Sequence, residues 1–231
     1  MINNKDLAIN KINIEFEKLA DLTLKQLDIL SRLFDSDKHA ISDKTLKELE
    51  ANEISIDKFD KKLDEHIIRT IVLYQPLASD LRQLFAIYRI VQNLERIGDL
   101  VIKITVLIPK FSDLKLFDNV SPTLYKMLKI TSNMVSKALL SFILKDKSCA
   151  IWTIKEDAII DKLNHKLIRK SIKEIELHEE VRTLLLSLTD LRSIISAIER
   201  IGDHATNIAE ASIYSLIGTN ITHDNVDEIE L

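Results

Sequence analysis

Eight carboxylates are set out at one spacing. Glu53 and Asp57, Glu95 and Asp99, Asp157 and Asp161, and Glu199 and Asp203 each lie four residues apart. On a helix, side chains four apart share a face, where like charges repel by roughly 0.2–0.5 kcal/mol. In a chain that is 29% charged, one such pair is commonplace and reads as a solvated helix face. Four pairs ask for more. If the helices carrying them are antiparallel neighbours, the pairs face each other, and the patch is unfavourable unless a cation or a basic partner neutralises it. Carboxylate-only ligation suits hard or borderline cations: magnesium, calcium, manganese and iron. Zinc becomes possible with fewer ligands and with His204 nearby. Arg96 and Arg200 offer a competing structural account, in which each neutralises an acid as an ion pair.

The four pairs keep register with one another. Glu95-Arg96-Ile97-Gly98-Asp99 recurs as Glu199-Arg200-Ile201-Gly202-Asp203, an offset of 104 residues (199 − 95). The same offset carries Ile56-Asp57-Lys58 onto Ile160-Asp161-Lys162, and Lys62-Leu63 onto Lys166-Leu167. Matches held in one register on well-separated segments mark an internal duplication. Gly98 and Gly202 are two of only three glycines, and each falls inside a helical run. An interior glycine costs up to about 1 kcal/mol against alanine. Keeping it in both halves points to close approach of the backbone, either to a neighbouring helix or to a ligand at the carboxylates.

The elements that must position these residues are helices. Three glycines and three prolines in 231 residues leave little punctuation for short strands and turns. Ile12, Phe16, Leu19, Leu22, Leu27 and Leu30 recur at helical spacing within 6–34, as do Leu46, Leu49, Ile56, Leu63 and Ile67 within 42–74. Asp35-Ser36-Asp37-Lys38 reads as the turn between them. Gln75-Pro76 ends the second helix, and Pro76 suits the first turn of a third, running to residue 108 and closed by Pro109. After a linker at 111–120, Ser121-Pro122 caps and begins a fourth helix to 145. The fifth covers 148–177 and the sixth 180–217, with Gly218 as its C-cap. The expected architecture is all-α: a tandem repeat of two three-helix bundles, residues 1–112 and 119–218, then a frayed acidic tail at 219–231.

Composition narrows the function. A net charge of -4, with lysines interspersed among acids, offers no surface for nucleic acid. Cys149 is the only cysteine, so no intramolecular disulfide forms, and it reads as a plain core or surface residue. The polar N-terminus lacks the order of a signal peptide. Apolar stretches such as 101–108 are interrupted by Lys103 and Thr105, and none is read as reaching the roughly 18 residues of a membrane span. A cytoplasmic protein without direct membrane insertion is expected. No Ser-His-Asp set, glycine-rich phosphate loop or Cys-His pairing stands out. His39, His66, His165, His178 and His223 read as surface or helix-end residues. The alternative to a non-enzymatic protein is a carboxylate-bridged di- or multimetal helical-bundle enzyme, or a metal store. The Glu-x-x-His spacing of ferritin-like bundles fails at both Glu95 and Glu199, where the fourth residue is Gly98 or Gly202.

Leu94-Glu95-Arg96-Ile97-Gly98-Asp99 resembles the signature of the PhoU family, and so does the run from Glu199-Arg200-Ile201-Gly202-Asp203-His204 through Ala205-Thr206-Asn207-Ile208-Ala209-Glu210. Gln75-Pro76-Leu77-Ala78-Ser79-Asp80-Leu81-Arg82 resembles the segment that opens that family's third helix. The resemblance spans essentially the whole chain in length, duplication and helix order. It implies a phosphate-specific transport accessory protein, acting as a non-enzymatic negative regulator of phosphate uptake and signalling. The implied partners are the transporter ATPase subunit PstB, the sensor histidine kinase PhoR where one exists, and a second copy in a homodimer. Some family members bind metal clusters (iron, zinc, manganese or magnesium are the candidates here) through Glu/Asp-x-x-x-Asp motifs on the second, third, fifth and sixth helices. Those motifs match Glu53 and Asp57, Glu95 and Asp99, Asp157 and Asp161, and Glu199 and Asp203. There are departures. Glu180 stands where a second Pro76 would fall, and Asp190-Leu191-Arg192 is out of register with Asp80-Leu81-Arg82. Leu100 occupies the first-half position of His204, so the two sites are expected to differ in metal preference or occupancy.

Overall fold

Ser42, Asp113 and Gly218 mark where helices start and stop, each by satisfying backbone groups that a helix end leaves orphaned. The Ser42 hydroxyl accepts from the amide of Thr45 at 3.2 Å, and the Asp113 carboxylate accepts from that of Leu116 at 2.9 Å. Gly218, at φ +79°, turns its amide back to Tyr214 O at 2.9 Å. The computed structural model describes residues 4–34, 41–111, 113–173, 181–219 and 221. Those residues form six α-helices and no strand: α1 Asn4–Phe34, α2 Asp43–Tyr74, α3 Ser79–Leu107, α4 Leu114–Leu144, α5 Lys147–Lys173 and α6 Val181–Ile217. A short 3-10 turn, Ile108–Lys110, holds Pro109. The turn expected at 35–38, the end of the fifth helix at 174–177, Glu180, most of the tail, and His39, His178 and His223 lie outside the described residues.

Two boundaries differ from the sequence expectation. α4 starts at Leu114, inside the expected linker, so Pro122 lies within the helix instead of opening it. An interior proline lacks an amide and strains the preceding turn. Upstream burial outweighs that loss: Leu116, Phe117 and Val120 are buried, and the Phe117 ring packs on Phe34 and Phe111 with centroids 6.0 and 5.3 Å apart. Ser121 caps nothing in its own helix, and its hydroxyl donates to Phe34 O at 3.1 Å. The second difference is at α3, which starts at Ser79 and not at Pro76. Gln75 and Ala78 both adopt positive φ, at 44° and 50°, and these two residues carry the corner between α2 and α3.

Within the first half α2 runs antiparallel to both neighbours. Lys25 pairs with Glu48 on α1–α2 while Glu15 meets Lys62 and His66 further along. The halves join through α1 with α4 and α3 with α6. Phe16 meets Phe142 edge-on at 5.3 Å, and Asn93 meets His204. Both halves therefore share one core, in which Ile12, Phe16, Leu19, Leu27 and Leu30 of α1 and Leu49, Ile56, Leu63 and Ile67 of α2 are buried as expected. Leu22 and Leu46 are only half-buried.

α4 is long and apolar enough, by length and composition, to cross a membrane, although no stretch was read so from the sequence. Half of its apolar window is buried inside the bundle, against α1, α5 and α6.

Replacing Asp113 with Ala removes the cap that lets α4 start early. Urea unfolding is expected to show a loss of about 1 kcal/mol; an unchanged midpoint would mean that burial of Leu116 and Phe117 alone sets that boundary.

Candidate functional site

The antiparallel pairing of α2 with α3, and of α5 with α6, lays the acidic residues out as two ladders. At one rung, each glycine receives the acid of the other helix. A Cβ on Gly98 would stand 2.7 Å from Glu53 Oε2, and a Cβ on Gly202 would stand 3.4 Å from Asp157 Oδ1. The close approach read from the glycines is thus to a carboxylate of the neighbouring helix. At another rung, burial and then the charge of Asp161 raise the Asp203 carboxyl, against Arg200. At a third, Asn164 Nδ2 donates to Glu199 Oε2 at 2.7 Å. In the first half, burial and the charge of Asp99 raise Glu95, with Asp60 and Asp57 adding and Arg96 opposing.

Glu53 is strongly perturbed. Burial first, and then the charges of Asp99, Asp57 and Glu95, raise its carboxyl to about 7, against a hydrogen bond from Gln26 that lowers it. Gln26 is fully buried on α1 and splits its Nε2 between Glu53 Oε2 at 3.1 Å and Leu49 O at 3.2 Å. Glu53 Oε1 is shut off from solvent with no hydrogen-bond partner. An orphaned, half-charged oxygen among like charges is the electrostatic setting a cation relieves. In donor type the residues present fit a hard cation. In geometry they stand apart: among the described residues no three His, Cys, Asp or Glu side chains lie close enough to hold one metal ion.

The fold therefore brings Glu53, Asp57, Glu95 and Asp99 to one helix pair, and Asp157, Asp161, Glu199 and Asp203 to the other. It also adds residues that the four-residue spacing missed. Gln92 Nε2 on α3 donates to Asp60 Oδ1 at 3.1 Å and reaches Asp64 Oδ2 at 3.4 Å. Burial raises both Asp60 and Asp64, and Asp64 and Asp57 raise Asp60 further. The offset of 104 maps Asp60 onto Asn164, so the second ladder repeats the rung without the charge.

His204 stands elsewhere. Its Nδ1 meets Asn93 Oδ1 at 2.9 Å in the seam between α3 and α6. Burial, with Arg200 and Arg96 adding, lowers its pKa to about 4, so it is neutral at physiological pH. It is thus a seam residue and not a partner of the carboxylates. Arg96 pairs along its own helix, 3.4 Å from Glu95 Oε2 and 3.6 Å from Asp99 Oδ2. His66 is fixed by Glu15 at 2.6 Å, and Cys149 donates weakly to Asp146 with burial raising its thiol; both are structural. The side chain of His165 lies outside the described residues.

The PhoU domain family model matches residues 16–107 and 124–212, one ladder in each match. The chain belongs to the PhoU family. A phosphate-specific transport system accessory protein PhoU homolog of Aquifex aeolicus is 30% identical over 224 residues, covering 94% of this chain and 98% of its own. A homolog of the same name from a Burkholderia species is 33% identical over 182 residues, or 77% of this chain and 75% of its own. The PhoU fold is shared with two crystal structures, each at 24% identity. PhoU from Pseudomonas aeruginosa gives a TM-score of 0.75 over 93% of this chain and 99% of that one. The phosphate transport system regulatory protein PhoU from Streptococcus pneumoniae gives 0.79 over 95% and 100%.

Two predictions follow the ladders of this PhoU chain. Gly202→Ala meets only van der Waals contact, so helix propensity is expected to stabilise the fold by up to about 1 kcal/mol in urea unfolding. Gly98→Ala must displace the Glu53 carboxylate and Ile56 Cδ1, at 2.7 and 3.3 Å, and is expected to gain less. Equal gains would show that Glu53 is not pinned against Gly98.

The second prediction concerns pH. Below pH 4.5 Glu53 is protonated folded and unfolded, and costs nothing. As pH rises from 4.5 to about 7 the unfolded chain ionises first, and the cation-free fold loses at most about 3 kcal/mol. His204 acts oppositely: its contribution is complete above 6.5 and is lost as pH falls toward about 4. Urea midpoints measured in EDTA across this range are expected to show a smaller high-pH decline in Glu53→Gln and a smaller low-pH decline in His204→Gln. Parallel profiles for wild type and both variants would refute the assignment.

Proposed function

We propose that this PhoU chain is a non-enzymatic negative regulator of phosphate uptake and of phosphate-responsive signalling. It works in the cytoplasm, as a homodimer, on the ATPase subunit PstB of the phosphate-specific transporter and, where one exists, on the sensor kinase PhoR. The relatives' names support this reading, since they are accessory proteins of phosphate-specific transport and the Streptococcus pneumoniae neighbour is named a regulatory protein. The observation that carries it is the duplicated carboxylate ladder, a repeated and electrostatically unfavourable feature on two helix pairs of one core. Among the described residues neither ladder shows a nucleophile paired with a base, and His204 turns to Asn93, which favours binding over catalysis.

Metal is part of the proposal. Glu53, Asp57, Glu95 and Asp99 would hold it in the first half, and Asp157, Asp161, Glu199 and Asp203 in the second. Iron, manganese, magnesium or zinc would supply positive charge that offsets the carboxylates' repulsion. Asp60 and Asn164 make the first half the more acidic, so the two halves are proposed to differ in occupancy.

The test is metal analysis of protein purified without a nickel column, beside phosphate uptake in cells grown on abundant phosphate. Glu53→Gln/Asp99→Asn and Glu199→Gln/Asp203→Asn are each expected to lower metal content and to release uptake from control. Wild-type metal content with uptake still controlled in both double variants would reduce the ladders to a solvated face.

A further inference from the structure

Toward the C-terminal end of α2, on the side facing α1, lies a cavity of about 290 Å³. Lys11 of α1 lines it with His66, Arg69, Thr70 and Tyr74 of α2, and among the described residues no carboxylate does. The α2 residues share one helical face by their spacing of three and four. Among the described residues neither Lys11 nor Arg69 has an acid within ion-pair distance. The acid that approaches, Glu15, is already committed. It is buried and accepts from Lys62 Nζ at 2.9 Å and His66 Nδ1 at 2.6 Å. That contact fixes the His66 ring at the cavity wall and leaves Nε2 as its remaining hydrogen-bonding atom.

We propose that this cavity binds a small oxyanion, a tetrahedral phosphate group held between Lys11 and Arg69. A guanidinium presents two parallel donors to a phosphate, an ammonium adds a point charge, and the Tyr74 and Thr70 hydroxyls supply neutral donors. The C-terminal carbonyls of α2 oppose this with about half a negative charge, an effect confined to the last turn. Two full positive charges without acid partners outweigh it. The volume sits at the small end of ligand pockets, which run from about 300 Å³ upward. It suits free phosphate with its water, or a small phosphomonoester. The site is separate from the carboxylate ladders and stands or falls without them. It would give a chain whose relatives are named for phosphate transport a direct contact with that anion.

Calorimetric titration of the full chain in EDTA, with inorganic phosphate, AMP and sulfate as probes, tests the proposal. Phosphate or AMP is expected to saturate one site. Lys11→Ala and Arg69→Ala, both at exposed positions, are each expected to weaken binding by about tenfold or more, the loss of one charge-assisted hydrogen bond. The Glu199→Gln/Asp203→Asn variant is expected to bind as wild type does, which separates this site from the ladders. Tighter binding of AMP than of phosphate assigns a phosphomonoester, and equal binding assigns free phosphate. Absence of saturation by either probe up to about 10 mM, or wild-type affinity in both cavity variants, overturns the proposal.

Discussion

A carboxylate pressed between two helices, among charges of its own sign, is the constraint around which the rest of the molecule is arranged. Glu53 reaches the Gly98 backbone because nothing larger stands there, and Gln26 of α1 holds its Oε2 in place. Burial of the ionised Glu53, with the repulsion added, costs at most about 3 kcal/mol, against the 5–15 kcal/mol that a folded chain typically has to spare. The fold tolerates this because α2 is anchored on its other face by Leu49, Ile56, Leu63 and Ile67, all buried in a core common to both halves.

Duplication repeats the ladder but not its charge. The backbone elements recur at an offset of 104: an acid facing a glycine, an acid beside an acid, and a polar side chain beside Glu95 or Glu199. At that last rung Asp60 has become Asn164, whose amide donates to Glu199 at 2.7 Å. An internal donor now answers Glu199, where in the first half Asp60 adds charge beside Glu95 and only the exposed Arg96 opposes it. The contact at the glycine is also looser, 3.4 Å instead of 2.7 Å. The second ladder is therefore the more relaxed of the two, a difference larger than the exchange of Leu100 for His204 suggested.

Helices were legible because their end signals are local. Ser42 and Gly218 cap where their types predict. Ser121-Pro122 misled because tertiary burial of Phe117 against Phe34 overrode a correct local preference, and the Asp113 cap carried no apolar run clear enough to announce it. The eight carboxylates were legible through the offset alone. Asp60 was within reach of the same offset, but its three-residue step from Asp57 falls outside the Glu/Asp-x-x-x-Asp pattern. Gln26 had no signal, since it arrives from α1, before the stretch over which the offset of 104 holds. His204 was misplaced because adjacency to Asp203 says nothing of direction: one residue along a helix turns a side chain by about 100°, which carries it from the ladder to the seam.

The arginines decide between the structural account of the ladders and the ligand account. Arg96 and Arg200 are equivalent under the duplication, and both charges reach His204 in the seam. Each also opposes the raised carboxyls of its own half, Arg96 at Glu95 and Asp60 and Arg200 at Asp203. Yet the Arg96 side chain is 60% exposed, and its ion pairs are 3.4 and 3.6 Å long. Pairs of that kind contribute about 0–1 kcal/mol. In the first half Arg96 acts on Asp60, Glu95 and Asp99 and not on Glu53. Its contribution is too small and too far into solvent to settle Glu53, whose inner oxygen has no partner at all. The intramolecular counter-charge trims the repulsion at the rim of the ladder and leaves its buried end unanswered.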